Sequence, residues 1–249
     1  KVVTGNTVKG SPYFWERAIY NKDDRIINER FAGTSPLYIY VDAKQDNGIY
    51  DPQLALYIPF WKRDAPSFQS DDFHGHLVTR YGAMWVPRGA DHDGIDDKIT
   101  IPHHPVFSFG DGSVDTAFTL LAVLNMRDTL SNRMIVSKEN ATMAEREWFW
   151  QVLSGNTLRV GLLDQGAAFQ VLRTYTFSRF NQFLMLGATY DGRGGTDAAD
   201  GITCFENAEI IPSTATHASY VAMKSWPNTS LVVGDREANV LPFAGIMSE

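Results

Sequence analysis

The chain has 249 residues, of which 44% are hydrophobic and 20% charged, so it can form one large sandwich domain or two small domains. The formal net charge of -7 argues against a nucleic-acid partner, because phosphate binding needs a basic face and the sequence contains no basic run. Cys204 is the single cysteine, which excludes an intrachain disulfide and a thiolate metal cluster. No apolar run approaches the roughly 20 residues of a membrane span.

Residues 1–50 differ from the rest of the chain, because apolar patches alternate with polar stretches without a clean period. Leu37–Val41 is rich in β-branched and aromatic residues, which predicts a strand. A separate domain of about 50 residues without a disulfide or metal would be marginal. We therefore expect an N-terminal strap that packs on the main domain or on a neighbour. Because the chain starts at Lys1, we also expect the natural product to extend beyond it.

From residue 51 onward the sequence favours strands. Short apolar segments follow one another at near-regular spacing and are separated by Gly, Asn and Asp turns, such as the hairpin turn Ser154-Gly155-Asn156. This pattern predicts an all-β sandwich of antiparallel strands. The predicted strands cover residues 54–60, 98–102, 117–124, 134–138, 147–153, 157–163, 168–175, 183–190, 201–206, 209–211 and 231–234.

A series of motifs over residues 54–249 carries a family resemblance. Gly82-Ala83-Met84-Trp85 precedes the acidic turn Asp93-Gly94-Ile95-Asp96-Asp97, and further landmarks follow in order: Ala117-Phe118-Thr119, Ile135-Val136-Ser137-Lys138, Tyr190-Asp191-Gly192, Leu231-Val232-Val233-Gly234 and Phe243-Ala244-Gly245-Ile246. Together they resemble laminin G-like domains of the concanavalin A-like lectin and glucanase superfamily. The resemblance implies a two-sheet antiparallel jelly-roll sandwich over residues 51–249, with residues 1–50 as an extension.

The chain departs from that family pattern at several places. His92 replaces the usual aromatic before the acidic turn, and Phe183 lies near the place of a usual Trp. Asn207-Ala208 replaces an Asn-Gly turn, so we expect a different turn type there. The family continues into a last strand where this chain reaches Glu249. We therefore expect a missing last strand and an open sheet edge, filled by the extension or by a neighbouring chain.

Acidic turns supply the oxygen ligands that calcium prefers. Because some members of the family hold calcium at the rim, the resemblance favours Asp111, Asp191 and Asp197 as ligands of a possible calcium ion, and no other cofactor is assigned. The alternative is that these carboxylates cap their own turns. The further acidic candidates are Asp93, Asp96, Asp97, Asp115 and Asp200.

Histidines form two pairs along the sequence. His74 and His76 alternate, so on a strand both would face one way, and His103-His104 follows a proline. A zinc site needs a third ligand and hydrogen-bond partners that hold the ligands in place. We expect these histidines to be polar turn residues.

Aromatic residues with hydrogen-bonding neighbours suit carbohydrate. Trp226-Pro227-Asn228 lies in a predicted loop, so Trp226, Asn228, Tyr220 and Asp191 are the candidate ligand contacts. Trp148 and Trp150 are further aromatic candidates, although their alternation also fits sheet packing. Glycosidases on this fold use paired carboxylates, for which Glu145 and Glu147 are the nearest match.

The sequence leaves three functions open. The first is a noncatalytic recognition or adhesion module with a glycan ligand, as the resemblance implies. The second is a structural surface or virion component (capsid or tail decoration) that assembles through residues 1–50 and an open C-terminal edge, with a protein of the same assembly as partner. The third is an enzyme of the glycoside hydrolase type. All three favour an extracellular, cell-surface or virion-surface location.

Overall fold

The computed structural model describes residues 53–60, 65–127, 131–140, 144–164, 169–177, 180–236 and 240–248. The predicted strap at 1–50, with its strand at Leu37–Val41, lies outside the described residues. Within these ranges no helix is long and apolar enough to cross a membrane.

Sixteen strands in the described residues form two sheets, and every pair of neighbouring strands is antiparallel. The nine-stranded sheet contains, side by side, β1 (Ser67–Gln69), β2 (Leu77–Tyr81), β5 (Lys98–Ile101), β15 (Leu231–Val233), β7 (Arg133–Asn140), β8 (Glu145–Leu153), β9 (Thr157–Asp164), β10 (Phe169–Thr176) and β14 (Thr214–Thr216). The seven-stranded sheet contains β13 (Glu209–Ile210), β12 (Ile202–Glu206), β11 (Leu184–Tyr190), β6 (Phe118–Met126), β16 (Ala244–Ser248), β4 (Gly89–Asp93) and β3 (Met84–Val86). Short 3-10 turns occur at Pro105–Phe107 and Ala198–Gly201.

The main core lies between the two sheets and follows from the alternation along each strand. In β6, Phe118, Leu120 and Leu124 belong to this core, and β8 supplies Trp148 and Trp150 to it. All five side chains are buried, and each contributes about 1.5–3 kcal/mol by leaving water. The predicted all-β, two-sheet antiparallel jelly-roll sandwich is therefore confirmed.

The predicted strand at residues 54–60 is wrong, because these residues belong to neither sheet. Their side chains nevertheless enter the core, where Leu56, Ile58 and Phe60 are buried. The backbone N–H of Tyr57 donates to Asp72 at 2.9 Å, and its carbonyl accepts from Asp71 N–H at 3.0 Å. At Tyr57 these bonds to residues 71 and 72 take the place of sheet hydrogen bonds, and Pro59 has no N–H to donate to a sheet.

The expectation of an open edge at the C-terminal strand is also wrong. β16 lies inside the seven-stranded sheet and pairs with β4 on one side and β6 on the other. Gly245 allows this close approach, since a Cβ there would lie 2.1 Å from the carbonyl oxygen of Asn125. Because β16 is paired along both sides, it offers no edge to a neighbouring chain.

The hairpin between β12 and β13 keeps the turn type that we expected it to lose. Asn207 and Ala208 both have positive φ, 50° and 67°, as the two central residues of a type I′ turn require. The Asn207 side chain accepts a hydrogen bond from Met185 N–H at 3.1 Å, which helps to hold the turn. Ala208 therefore adopts a backbone conformation that glycine would adopt at lower cost.

Candidate ligand-binding rim

Three segments meet at one rim of the sandwich, residues 109–116, 190–200 and 217–229, which we call the loop rim. Backbone hydrogen bonds join them: Gly112 N–H donates to Met223 O at 2.7 Å, and Gly195 N–H donates to Val221 O at 2.8 Å. Segments linked in this way hold their exposed side chains in fixed relative positions, as a binding surface requires.

The buried carboxylate of Asp115 connects the segments of the loop rim through hydrogen bonds. Its Oδ2 accepts hydrogen bonds from the hydroxyls of Tyr190 and Tyr220, both at 2.7 Å, and its Oδ1 accepts from Met223 N–H at 2.8 Å. Burial raises the pKa of the Asp115 carboxyl above its ordinary value, while the two tyrosine hydroxyls act in the opposite direction. Because Tyr220 is only 2% exposed and its hydroxyl is bonded to Asp115, the prediction that it contacts a ligand is wrong.

A fully buried ion pair lies under the Trp226 loop. Lys138 Nζ donates to Glu147 Oε1 at 2.8 Å, and neither side chain is accessible to water. The same Nζ donates to Thr229 O at 3.1 Å and lies 3.5 Å from Trp226 O. Glu147 Oε1 also accepts from Trp226 N–H at 2.7 Å. The pair therefore fixes the backbone at both ends of residues 226–229.

A β-bulge places Glu147 in this position. Lys138 pairs with Trp148 and Glu139 pairs with Arg146, so Glu147 is an extra residue in β8. Such a bulge turns a side chain away from its alternating direction. Burial raises the pKa of Glu147 and lowers the pKa of Lys138, while the attraction between the two opposes both shifts.

The surface above this pair offers an aromatic ring beside hydrogen-bonding groups. Trp226 is half-buried, and Lys224 Nζ lies 4.6 Å from the centroid of its ring. Asn228 is exposed, two residues further along the same loop. Thr229, which is buried, donates from its hydroxyl to Glu145 at 3.1 Å. An indole with an ammonium over its ring and an exposed amide in the same loop suits contact with a sugar ring and its hydroxyls.

The three predicted calcium ligands do not form one group. Asp111 accepts hydrogen bonds from the backbone of Ser113 and Val114, both at 2.8 Å, and these bonds lower the pKa of its carboxyl. Asp191 instead pairs with Arg193 at 2.6 Å. Turn capping and ion pairing therefore occupy both carboxylates.

Asp197 has different neighbours, since its possible ligand atom lies near those of Asp200 and His217, and all three side chains are exposed. This mixed set includes an imidazole, which suits transition metals better than calcium.

The acidic turn of residues 93–97 directs its carboxylates to its own backbone. Asp93 Oδ1 accepts from Ile95 N–H at 2.7 Å, and Asp97 Oδ2 accepts from Asp93 N–H at 2.8 Å. Asp97 is buried, which raises the pKa of its carboxyl. The motif that is most prominent in the sequence thus holds a turn.

The other predicted aromatic and acidic candidates are core or anchoring residues. Trp148 and Trp150 are fully buried, so neither contacts a ligand. Glu147 is engaged by Lys138, and Glu145 accepts from Thr229, so the proposed glycosidase pair anchors the Trp226 loop. Sequence reasoning missed Lys138 and Asp115 as anchors. A lysine within the apolar run of β7 was the available signal, because lysine is rarely buried unless it is paired.

No family model matches the chain, and no curated protein matches it. Among solved structures, it is similar to Trypanosoma rangeli sialidase, with 11% identity and a TM-score of 0.51 over 92% of this chain and 35% of the sialidase. A mutant of that sialidase displaying trans-sialidase activity gives 10% identity and a TM-score of 0.50 over the same shares, 92% and 35%. The Ruminococcus gnavus IT-sialidase CBM40 bound to sialyllactose has 12% identity and a TM-score of 0.45, over 68% of this chain and 87% of that module. The chain thus spans about a third of the sialidases, and the likeness concerns the fold alone.

Proposed function

We propose that the protein is a noncatalytic recognition module that binds glycans at the loop rim. The observation that carries this proposal is the partly exposed Trp226, which lies on a loop fixed from below by the buried Lys138–Glu147 pair. A stacking platform on a rigid backbone loses little conformational freedom when a ligand binds. Lys224, whose ammonium lies over the ring, and the exposed Asn228 of the same loop supply hydrogen-bond donors.

The sandwich fold and the sequence landmarks support this proposal. The landmarks resemble laminin G-like domains, and a module of that kind acts in recognition or adhesion outside the cell. We include this family assignment and an extracellular or cell-surface location in the proposal. Calcium also stays in the proposal as an optional ion, without the ligand set Asp111, Asp191 and Asp197, because these carboxylates do not come together.

A glycan array tests the proposal, with neutral and acidic glycans probed once with calcium and once with EDTA. For any glycan retained, Trp226→Ala should weaken binding about tenfold or more, since a loss of about 1.4 kcal/mol corresponds to a factor of ten. The melting temperature of each variant is measured as well, so that a loss of folding is distinguished from a loss of binding. Phe73→Ala is the matched control, since Phe73 is 66% exposed and lies outside the loop rim. If no glycan binds, or if both variants bind as well as the parent protein, the proposal fails.

Three exposed apolar side chains that lie close together in the sequence favour a second candidate function, assembly with another copy or with a protein of the same surface or virion. Leu77 and Tyr81 of β2 and Met84 of β3 are 54%, 50% and 65% exposed. Clusters of exposed apolar side chains mark interaction surfaces. Light scattering of the protein, with Met84→Glu as the variant, tests this function. Assembly predicts an oligomer that the variant dissociates, and a monomer at all concentrations would contradict it.

A further inference from the structure

Three histidines from two separate segments come together in the described structure. His74 and His76 lie in the turn between β1 and β2, and His104 precedes the 3-10 turn that follows β5. Because β2 pairs with β5, these segments end side by side. The ring centroids are 4.8–5.2 Å apart, and one nitrogen from each ring lies within 4.8 Å of the others.

We propose that His74, His76 and His104 form a binding site for a zinc-like transition-metal ion. Zinc commonly takes three imidazole nitrogens and leaves a fourth position for water or another ligand. A tetrahedral ion with bonds of about 2.0–2.1 Å needs nitrogens about 3.3 Å apart. The three rings therefore have to approach one another by about 1.5 Å, a movement that side-chain rotation at the partly exposed His74 and His104 can provide.

The hydrogen bonds around the cluster leave nitrogens available for a metal. His76 Nε2 lies 3.0 Å from Ala55 O, and a donated hydrogen bond there leaves the lone pair on Nδ1. This arrangement, a ring N–H donated to a backbone carbonyl, is the one that orients metal-binding histidines. His74 Nε2 is buried and has no hydrogen-bond partner among the described residues. The contact from Val106 N–H to His104 Nδ1 is long, 3.3 Å, and would be exchanged for the metal.

A carboxylate supports the cluster. Asp72 Oδ1 lies 3.9 Å from His76 Nε2 and accepts hydrogen bonds from the backbone of His74 and Gly75 at 2.9 and 3.0 Å. Asp72 thus fixes the turn that carries two of the ligands and places a negative charge near the cation. Burial lowers the pKa values of the His76 and His104 imidazoles below their ordinary value.

Zinc titration of the chelator-treated protein by calorimetry tests the site, with cobalt as a spectroscopic probe of tetrahedral coordination. We expect one zinc ion per chain and weaker binding at pH 5.5, where protons compete for the imidazoles. His74→Ala and His104→Gln should each weaken zinc binding about tenfold or more. Neither residue is fully buried, so we expect both variants to fold. Circular dichroism checks their folding, and each variant then tests the site through a different ligand.

His217→Ala is the matched control, because it removes a histidine from the separate group with Asp197 and Asp200. The site predicts unchanged zinc affinity in this variant. Absence of zinc binding, a zinc affinity in the His74→Ala and His104→Gln variants equal to that of the parent protein, or loss of zinc binding only in the His217→Ala variant would each overturn the proposal. None of these measurements involves a glycan, so they test the metal site independently of the proposed function.

Discussion

The acidic turn of residues 93–97 and the Lys138–Glu147 pair use carboxylates in opposite ways. In the turn, Asp93 and Asp97 accept hydrogen bonds from backbone groups only two to four residues away. Glu147 instead joins strand β8 to Lys138 on β7 and to the backbone of Trp226, 79 residues further along the chain. A conspicuous local motif therefore shapes a turn, while two ordinary residues in strands position the candidate ligand surface.

The difference also has an energetic side. The hydrogen bonds within the turn contribute about 1 kcal/mol each. A buried ion pair has a large desolvation cost that is offset only while both partners and their hydrogen bonds remain. The Trp226 loop is therefore sensitive to loss of either partner, and the acidic turn is more tolerant.

The largest effect is expected from breaking the ion pair. Lys138→Met leaves the buried Glu147 carboxylate without its cation and should lower the free energy of unfolding by about 3–5 kcal/mol, as measured by urea denaturation. The double variant Lys138→Met, Glu147→Leu should recover much of this loss, since it leaves no unpaired charge. A single variant as stable as the parent protein would show that the pair does not anchor the loop.

The next effect concerns His92, which directly precedes the acidic turn. Its ring is fully buried, and burial lowers its pKa to about 4 from an ordinary value of 6.5. Between these two values the unfolded chain binds a proton that the folded chain does not, so stability falls as the pH falls from 6.5 to 4. The loss amounts to about 3 kcal/mol, at 1.36 kcal/mol for each pH unit.

His92→Phe tests that pH dependence. The variant keeps a ring that can pack against Phe243, which lies 6.0 Å from His92 between ring centroids, and removes the titrating group. Thermal unfolding of both proteins over this pH range should show a flatter profile for the variant. Identical slopes would mean that other groups cause the acid sensitivity.

A smaller effect is expected within the acidic turn itself. Asp97→Ala removes the acceptor for Asp93 N–H and should cost about 1–2 kcal/mol in the free energy of unfolding. Affinity for any glycan found on the array should stay unchanged, because the turn lies outside the loop rim. If Asp97→Ala lowered glycan affinity more than Trp226→Ala does, the glycan would bind at the acidic turn and not at the loop rim.

The smallest effect is expected at a turn outside both regions, and it gives a reference value for the free energy that one turn residue contributes. Ala208→Gly relieves the positive φ of 67° at the β12–β13 hairpin and should raise the free energy of unfolding by about 0.5–1 kcal/mol. Asn207→Gly, at a φ of 50°, is the comparison, since asparagine tolerates this conformation and its side chain bonds to Met185. Asn207→Gly should therefore not raise the free energy of unfolding.

Much of the fold could be predicted from local pattern. Strands such as Phe118–Met126 and Thr157–Asp164 and the turn at 154–156 were predicted within one or two residues, because alternation and turn residues act over short distances. The segment 54–60 has the composition of a strand but no sheet partner, and composition cannot show whether a partner exists.

The candidate site was less predictable. Trp226 and Asn228 were identified as loop residues, but Tyr220 was misplaced because its burial depends on Asp115, 105 residues away in the sequence. The third histidine of the cluster was also hidden, since His104 meets His74 and His76 only through the pairing of β2 with β5.

By itself the sequence determined the sandwich, the position of turns such as residues 154–156 and the absence of an intrachain disulfide, since these depend on residue type and short-range period. The tertiary structure alone decided which polar groups are buried together. A β-bulge directs Glu147 toward Lys138, and Asp115 accepts hydrogen bonds from the hydroxyls of Tyr190 and Tyr220. Strand β16 pairs on both sides within the seven-stranded sheet. The physical reason is that the free energy of a buried polar group depends on its partners, and those partners come from distant parts of the chain.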